Sequence, residues 1–201
     1  MKHGLGALPG KLDIRDYHFK KKVYMSYNYP DTYECPGRMK IKDQGKVGSC
    51  VAHSASEILE YHYPGLNLST NFIYGIHHKL YGSNGPGMYL RNAAKIMLKY
   101  GDPEYDFCPG NTEVEEVYGI ANATFANSEA MLNAKDHRIH NFTKVSDIND
   151  IKYALVNYGP VMGAITWYSN NTVSRVSGLL KKGDIEAGGH AIVIKGWTEK
   201  G

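Results

Sequence analysis

Lys42-Asp-Gln-Gly-Lys-Val-Gly-Ser-Cys-Val-Ala-His-Ser54 decides how this chain folds. Polar residues and two glycines run into a single cysteine, Cys50. From there Val51, Ala52, Ala55, Ile58, Leu59 and His62 recur at helical spacing until Pro64-Gly65 stops the pattern. Cys50 is therefore expected at a helix N-terminus, where unpaired backbone N–H groups and the helix dipole favour a thiolate. Gln44 supplies an amide donor six residues earlier, and Gly45 and Gly48 let the loop fold tightly enough to bring it beside the sulfur. A lone cysteine in an apolar helix is more often a buried structural thiol. The polar, glycine-bearing flanks turn the reading towards chemistry.

The second stretch of this kind is Gly188-Gly-His-Ala-Ile-Val-Ile-Lys-Gly-Trp197. Two glycines allow a sharp turn, and the apolar run reads as a buried strand with His190 at its mouth. None of the other histidines sits in such a setting. His53 and His62 are nine residues apart and His77 and His78 are adjacent, so packing or solvent roles suit all four better than metal ligation.

The 201 residues suffice for a substantial core, and 42% apolar with 21% charged residues is ordinary for a globular protein. A net charge of +3, with lysines scattered apart from Lys20-Lys21-Lys22, gives no nucleic-acid footprint. Three cysteines exclude a disulfide scaffold but leave room for one bridge, Cys35 to Cys108. No apolar run reaches membrane-spanning length, and the first ten residues lack a signal peptide's apolar core. A soluble protein is expected, in an unknown compartment, with no membrane or nucleic-acid partner.

Further elements follow from pattern. Leu68 to Leu80 reads as a helix with Ser69 as N-cap. Gly82 to Gly87 reads as a loop. Met88 to Tyr100 reads as a helix with Leu90, Ala93, Ala94, Met97 and Leu98 on one face. Arg138 to Val145 suggests a strand. Ser146 to Tyr158 reads as a helix whose stripe is Ile148, Ile151, Leu155 and Val156, with Asp147 and Asp150 near its positive end. Val161 to Trp167 reads as a strand. Residues 102–137 carry little signal beyond an acidic cluster at Glu113, Glu115 and Glu116, taken as solvated surface.

The Cys50 stretch resembles the active-site segment of the papain-like cysteine peptidases. Gln44-Gly45, Gly48-Ser49-Cys50, Ala52 and Ser54 carry the match. His190 resembles the family's strand-borne histidine and follows Cys50 by 140 residues, within that family's spacing. Leu8 to Asp16 is similar to the start of the catalytic unit in bacterial members, and no long helical pro-segment is seen. Val47 and Ser83 stand where the family often pairs two cysteines, and Val51 replaces its Trp or Tyr.

The resemblance implies an α+β, two-lobed papain-like fold with the active site in the cleft between the lobes. A helical lobe is expected over about 43–112 and an antiparallel β lobe over about 113–201, with the segment 1–42 packed on the latter. It implies Cys50 as nucleophile, His190 as base and Gln44 in the oxyanion hole. Gly85, Pro86, Met88 and Gly189 are expected to line the substrate cleft. No metal or other cofactor is called for, the partner is a peptide or protein substrate, and the oligomeric state is open. The family's orienting Asn, some twenty residues beyond the histidine, would fall after Gly201. That suggests a truncated chain, with a looser β lobe and a sheet edge left exposed. Peptide hydrolysis leads. A non-catalytic binding protein and a Cys–His acyltransferase are the alternatives.

Overall fold

The computed structural model describes residues 4–10, 13, 28–82, 85–109, 128–170, 172–173 and 180–198. Lys20 to Lys22, Ser83 and the glutamates at 113, 115 and 116 lie outside them.

Helix α1, Cys50–His62, is the centre of the molecule. Every residue from Cys50 to Ser56 is buried, so the first two turns are covered all round. Helices α2, Thr70–Tyr81, and α3, Leu90–Lys99, cover it on one side, and strand β5, Glu186–Ile194, covers it on another. The core runs through Val51, Ala52, Ala55, Leu59, Phe72, Ile73, Ile76 and Ile96, all at or below 1% exposure. Their burial supplies the main driving force, roughly 1.5–3 kcal/mol for each larger side chain.

The start of α2 is capped as expected: the Ser69 hydroxyl accepts the Phe72 N–H at 3.2 Å. In α3 the buried set is Ala93, Ala94, Ile96 and Met97, while Leu98 is partly exposed. Ile96 takes the inward place because it stands three residues after Ala93, on the same side of the helix that meets α1 and α2.

A short 3₁₀ turn, Tyr105–Phe107, follows, then helix α4, Ser128–Ala134, which the sequence did not announce. The run Arg138 to Val145 is not the strand its composition suggests. The run instead begins against α3, where the Ile139 N–H bonds the Met97 carbonyl at 3.3 Å.

Helix α5, Ile148–Asn157, is capped by Asp147, whose carboxylate accepts the Asp150 N–H at 2.8 Å. Its buried residues are Ala154 and Leu155; Ile148 is 61% and Val156 40% exposed. Ala154 shares the face of Ile151 and Leu155 at spacings of three and one, whereas Val156 is turned a further 100° away.

Strand β2, Val161–Tyr168, pairs antiparallel with β5 from Val161↔Ile194 to Tyr168↔Glu186, with an irregularity between Trp167 and Tyr168. His190 lies opposite Ile165, inside the strand rather than at its mouth. The chain breaks at Lys195 and resumes as β6, Gly196–Thr198, which pairs with β1, Thr32–Glu34. Tyr33 stacks on Trp197 across that pair at 4.9 Å. Strands β3, Thr172–Val173, and β4, Leu180–Lys181, form a separate small pair. Helices and antiparallel strands thus form a mixed α+β fold.

The possible bridge between Cys35 and Cys108 does not form, and none of the three cysteines is in a disulfide. The Cys35 thiol instead donates to the Leu155 carbonyl at 3.4 Å.

Candidate active site

The loop before Cys50 is fixed from below. The Lys42 ammonium pairs with Glu60 at 2.7 Å, donates to the Ser56 hydroxyl at 3.3 Å and reaches the Leu68 carbonyl. These bonds tie the loop to α1 and to the entrance of α2. The Asp43 carboxylate accepts the Gly45 N–H at 2.8 Å in an Asx turn, and Gly45 then takes a left-handed φ of 56° that glycine adopts at no steric cost. Val47 N–H then closes onto the Gln44 carbonyl at 3.3 Å. The chain arrives at Ser49, the N-cap residue of α1, with Cys50 as the first helical residue.

The Cys50 thiol is 1% exposed. Ala191, on β5, points its backbone N–H at the sulfur at 3.4 Å. Backbone hydrogen bonds from Gly6, Val51 and Cys50 itself also favour the thiolate. Burial nevertheless outweighs them and pushes the thiol up from its ordinary value. The helix start and these bonds act towards the thiolate, as the sequence suggests, but burial is the larger influence.

The reason for that burial is a segment the sequence did not mark. Gly4 to Leu8 runs along the front of Cys50, held by its backbone. Gly4 N–H donates to the Gly45 carbonyl at 3.1 Å. The Gly6 and Ala7 amides both donate to the Gly189 carbonyl, at 3.2 and 3.0 Å. The Met88 N–H donates to the Gly6 carbonyl at 2.8 Å, and the Leu8 N–H donates to the Met88 carbonyl at 3.1 Å. Ala7 and Met88 therefore pair as a short parallel bridge.

Gln44 is drawn into the same arrangement. Its side-chain amide donates to the Gly4 carbonyl at 2.5 Å and to the Val47 carbonyl at 2.9 Å. Both of its N–H groups are thus engaged. The side chain of Met88 is fully buried in the core, so this residue offers the groove its backbone rather than a side-chain wall. Pro86 is at the rim, its Cβ 3.1 Å from where a Cβ on Gly48 would stand. Gly85 faces open space at that position.

Sequence reasoning missed two supports here. Gly87 has φ +103°, and its N–H is held by the buried Tyr74 hydroxyl at 3.0 Å. A tyrosine at a core position of α2 gave no hint of that reach.

Cys50, Gln44, Met88 and Gly189 are therefore gathered round one short piece of chain. His190 is bracketed by the two residues that complete the group: Gly189, which binds Gly6 and Ala7, and Ala191, which binds the thiol. Trp167 stands edge-on to its ring at 5.2 Å. Among the described residues, the other histidines fall elsewhere. His53 is buried and donates Nδ1–H to the Ser49 carbonyl at 3.0 Å, and His77 is buried on α2 beside His78 and Tyr81. Among the described residues no group of side chains could hold a metal ion. No helix among them is long and apolar enough to cross a membrane.

A buried cysteine opening a central helix, met by the backbone of a histidine-bearing antiparallel strand, is the arrangement of the two-lobed papain-like α+β proteins. The family model described as papain family cysteine protease matches residues 31–201, and the chain belongs to that family. Solved structures agree in fold. Xylellain, a cysteine protease from Xylella fastidiosa, superposes with a TM-score of 0.80 at 24% identity, over 99% of this chain and 81% of that one. ProCathepsin B S9 from Trypanosoma congolense gives 0.71 at 18% identity, over 97% of this chain and 71% of that one. Digestive procathepsin L 3 of Tenebrio molitor larval midgut gives 0.58 at 16% identity, over 98% and 61%. No curated protein matches the chain by sequence.

Proposed function

We propose that this chain hydrolyses peptide bonds through a Cys50 thiolate and His190, acting on peptides or proteins laid between a helical lobe, about 43–112, and a β lobe, about 113–201. The observation that carries the reading is the position of His190 between Gly189 and Ala191, whose backbone groups meet the groove and the Cys50 thiol. His190 takes the thiol proton. The thiolate attacks the substrate carbonyl carbon, and the C=O pair moves onto oxygen. The Gln44 amide and the Cys50 N–H stabilise that oxyanion; one such donor is worth on the order of 3 kcal/mol in the barrier. His190 then protonates the leaving amine as the C–N bond breaks, and a water molecule hydrolyses the thioester. Trp167 limits the turning of the imidazole. Pro86, Gly87, Met88 and Gly189 bind the substrate, the last two through their backbone.

The test is hydrolysis of an unbiased peptide mixture under reducing conditions, comparing the parent chain, Gly6→Val and Cys50→Ala. Cleavage lost in Cys50→Ala supports the reading. Equal cleavage by Cys50→Ala, or none by either of the other two, overturns it.

A further inference from the structure

We propose that the groove beside Cys50 is a glycine-selective site for extended peptide, and that in this chain Gly4–Leu8 is the copy that fills it. The proposal rests on the peptidase reading for the purpose of the groove, but its test reads binding and not turnover.

Steric contact at two glycines sets the selectivity. A Cβ added at Gly6 would lie 1.8 Å from the Gly48 oxygen and 2.4 Å from the Gly48 carbonyl carbon. One added at Gly4 would lie 2.4 Å from the Val47 oxygen and 2.5 Å from the Lys46 oxygen. All four obstructing atoms are backbone, in the loop that Lys42, Asp43 and Gln44 hold in place, so they cannot swing aside as a side-chain end would. The other alternation is open to side chains. Leu5 lies over Gly188, where an added Cβ would meet its Cδ1 at 3.4 Å, and Ala7 is buried against Gly189.

The groove answers with glycines of its own. A Cβ at Gly87 would stand 2.7 Å from the Gly6 oxygen, and one at Gly189 would stand 2.0 Å from the Ala7 oxygen. Two backbones therefore approach as closely as glycine allows, on both sides of the bound strand. The ligand class that fits is an extended Gly-Xaa-Gly-small peptide, recognised through its own backbone amides and carbonyls.

A consequence concerns access. While Gly4–Leu8 is in place the Cys50 thiol is covered and the Gln44 amide is spent on Gly4. A foreign peptide enters only after this segment leaves.

The experiment measures iodoacetamide alkylation of each cysteine in the full chain by mass spectrometry. Gly6→Val, and the milder Gly6→Ala, should speed alkylation of Cys50 by at least about tenfold, because local opening no longer limits it. Cys35 and Cys108 should be unchanged. Gly10→Val is the control, since residue 10 has open space where its side chain would go. A capped peptide copying residues 4–9, added to Gly6→Val, should then slow the Cys50 reaction. The same peptide with valine in place of its second glycine should not. The proposal is wrong if Cys50 reacts at the parent's rate in both variants. It is equally wrong if all three cysteines speed up together in both, or if the two peptides protect alike.

Discussion

The Ala191 amide reaches the Cys50 thiol at 3.4 Å across 141 positions of chain. That contact joins the first turn of the central helix to the strand carrying His190, so Cys50 and His190 are placed by elements rather than by loops. Precision of this kind is easier to hold on a helix and a strand than on mobile connections.

Gln44→Ala should produce two opposite effects. Loss of the oxyanion donor should lower kcat by roughly 10²–10³ with little change in KM. Loss of the bond to the Gly4 carbonyl should loosen the covering segment and make Cys50 alkylate faster. Steady-state kinetics and residue-resolved alkylation on the same preparation check both. A fall in both quantities would separate Gln44 from the groove.

The acidity of Cys50 should depend on the segment in front of it. Burial raises its thiol in the parent, so the alkylation rate should climb only above the ordinary thiol range. In Gly6→Val the helix start and the Ala191 and Val51 amides remain while the burial is relieved. The midpoint of the pH–rate curve should therefore move down. An unmoved midpoint would mean that the segment does not set the thiol's environment.

How much of this was readable from sequence depends on what holds each part. The central helix, its opening at Cys50 and the Ser69 cap were legible because side-chain pattern and capping chemistry are local, whereas Asp147 was read only as a charge near a helix start and not as its cap. The groove's occupant was not. Gly4 to Leu8 is held by backbone hydrogen bonds, which leave no periodicity to find, and its only mark is glycine at alternate positions. The burial that raises the Cys50 thiol had no local signal for the same reason, although the helix start that favours the thiolate was legible. The stacking of Tyr33 on Trp197 joins residues far apart in the chain and had no local signal either.

His77 should make the fold acid-sensitive. Burial, and then the charge of His78, lower its pKa from 6.5 to about 4. Between those values the unfolded chain binds more protons than the folded one. The stability is thus present above pH 6.5 and lost as pH falls towards 4, by up to about 3 kcal/mol. Asp102 is buried and its pKa raised, so it acts in the opposite sense. Comparing His77→Leu with the parent removes that contribution. The variant's Tm should fall less than the parent's over this range, and parallel curves would contradict the assignment.

Tyr74→Phe removes the hydroxyl that holds the Gly87 N–H. The amide is buried, so the expected cost is about 1–3 kcal/mol in denaturant unfolding. Because Gly87 precedes the Met88 amide that grips Gly6, Cys50 should also alkylate faster. A stability loss with no change at Cys50 would confine the tyrosine to packing.

The central claim is that Cys50 becomes acylated and is then released by water. Intact-mass spectrometry of the Gly6→Val chain mixed with excess activated peptide ester tests it directly. The account predicts a mass gain of one acyl group, mapped to Cys50, that decays as the free acid appears, and no gain in a Gly6→Val, Cys50→Ala double variant. An acyl group mapped to Cys35 or Cys108 instead, or none on a chain whose Cys50 alkylates rapidly, would contradict it.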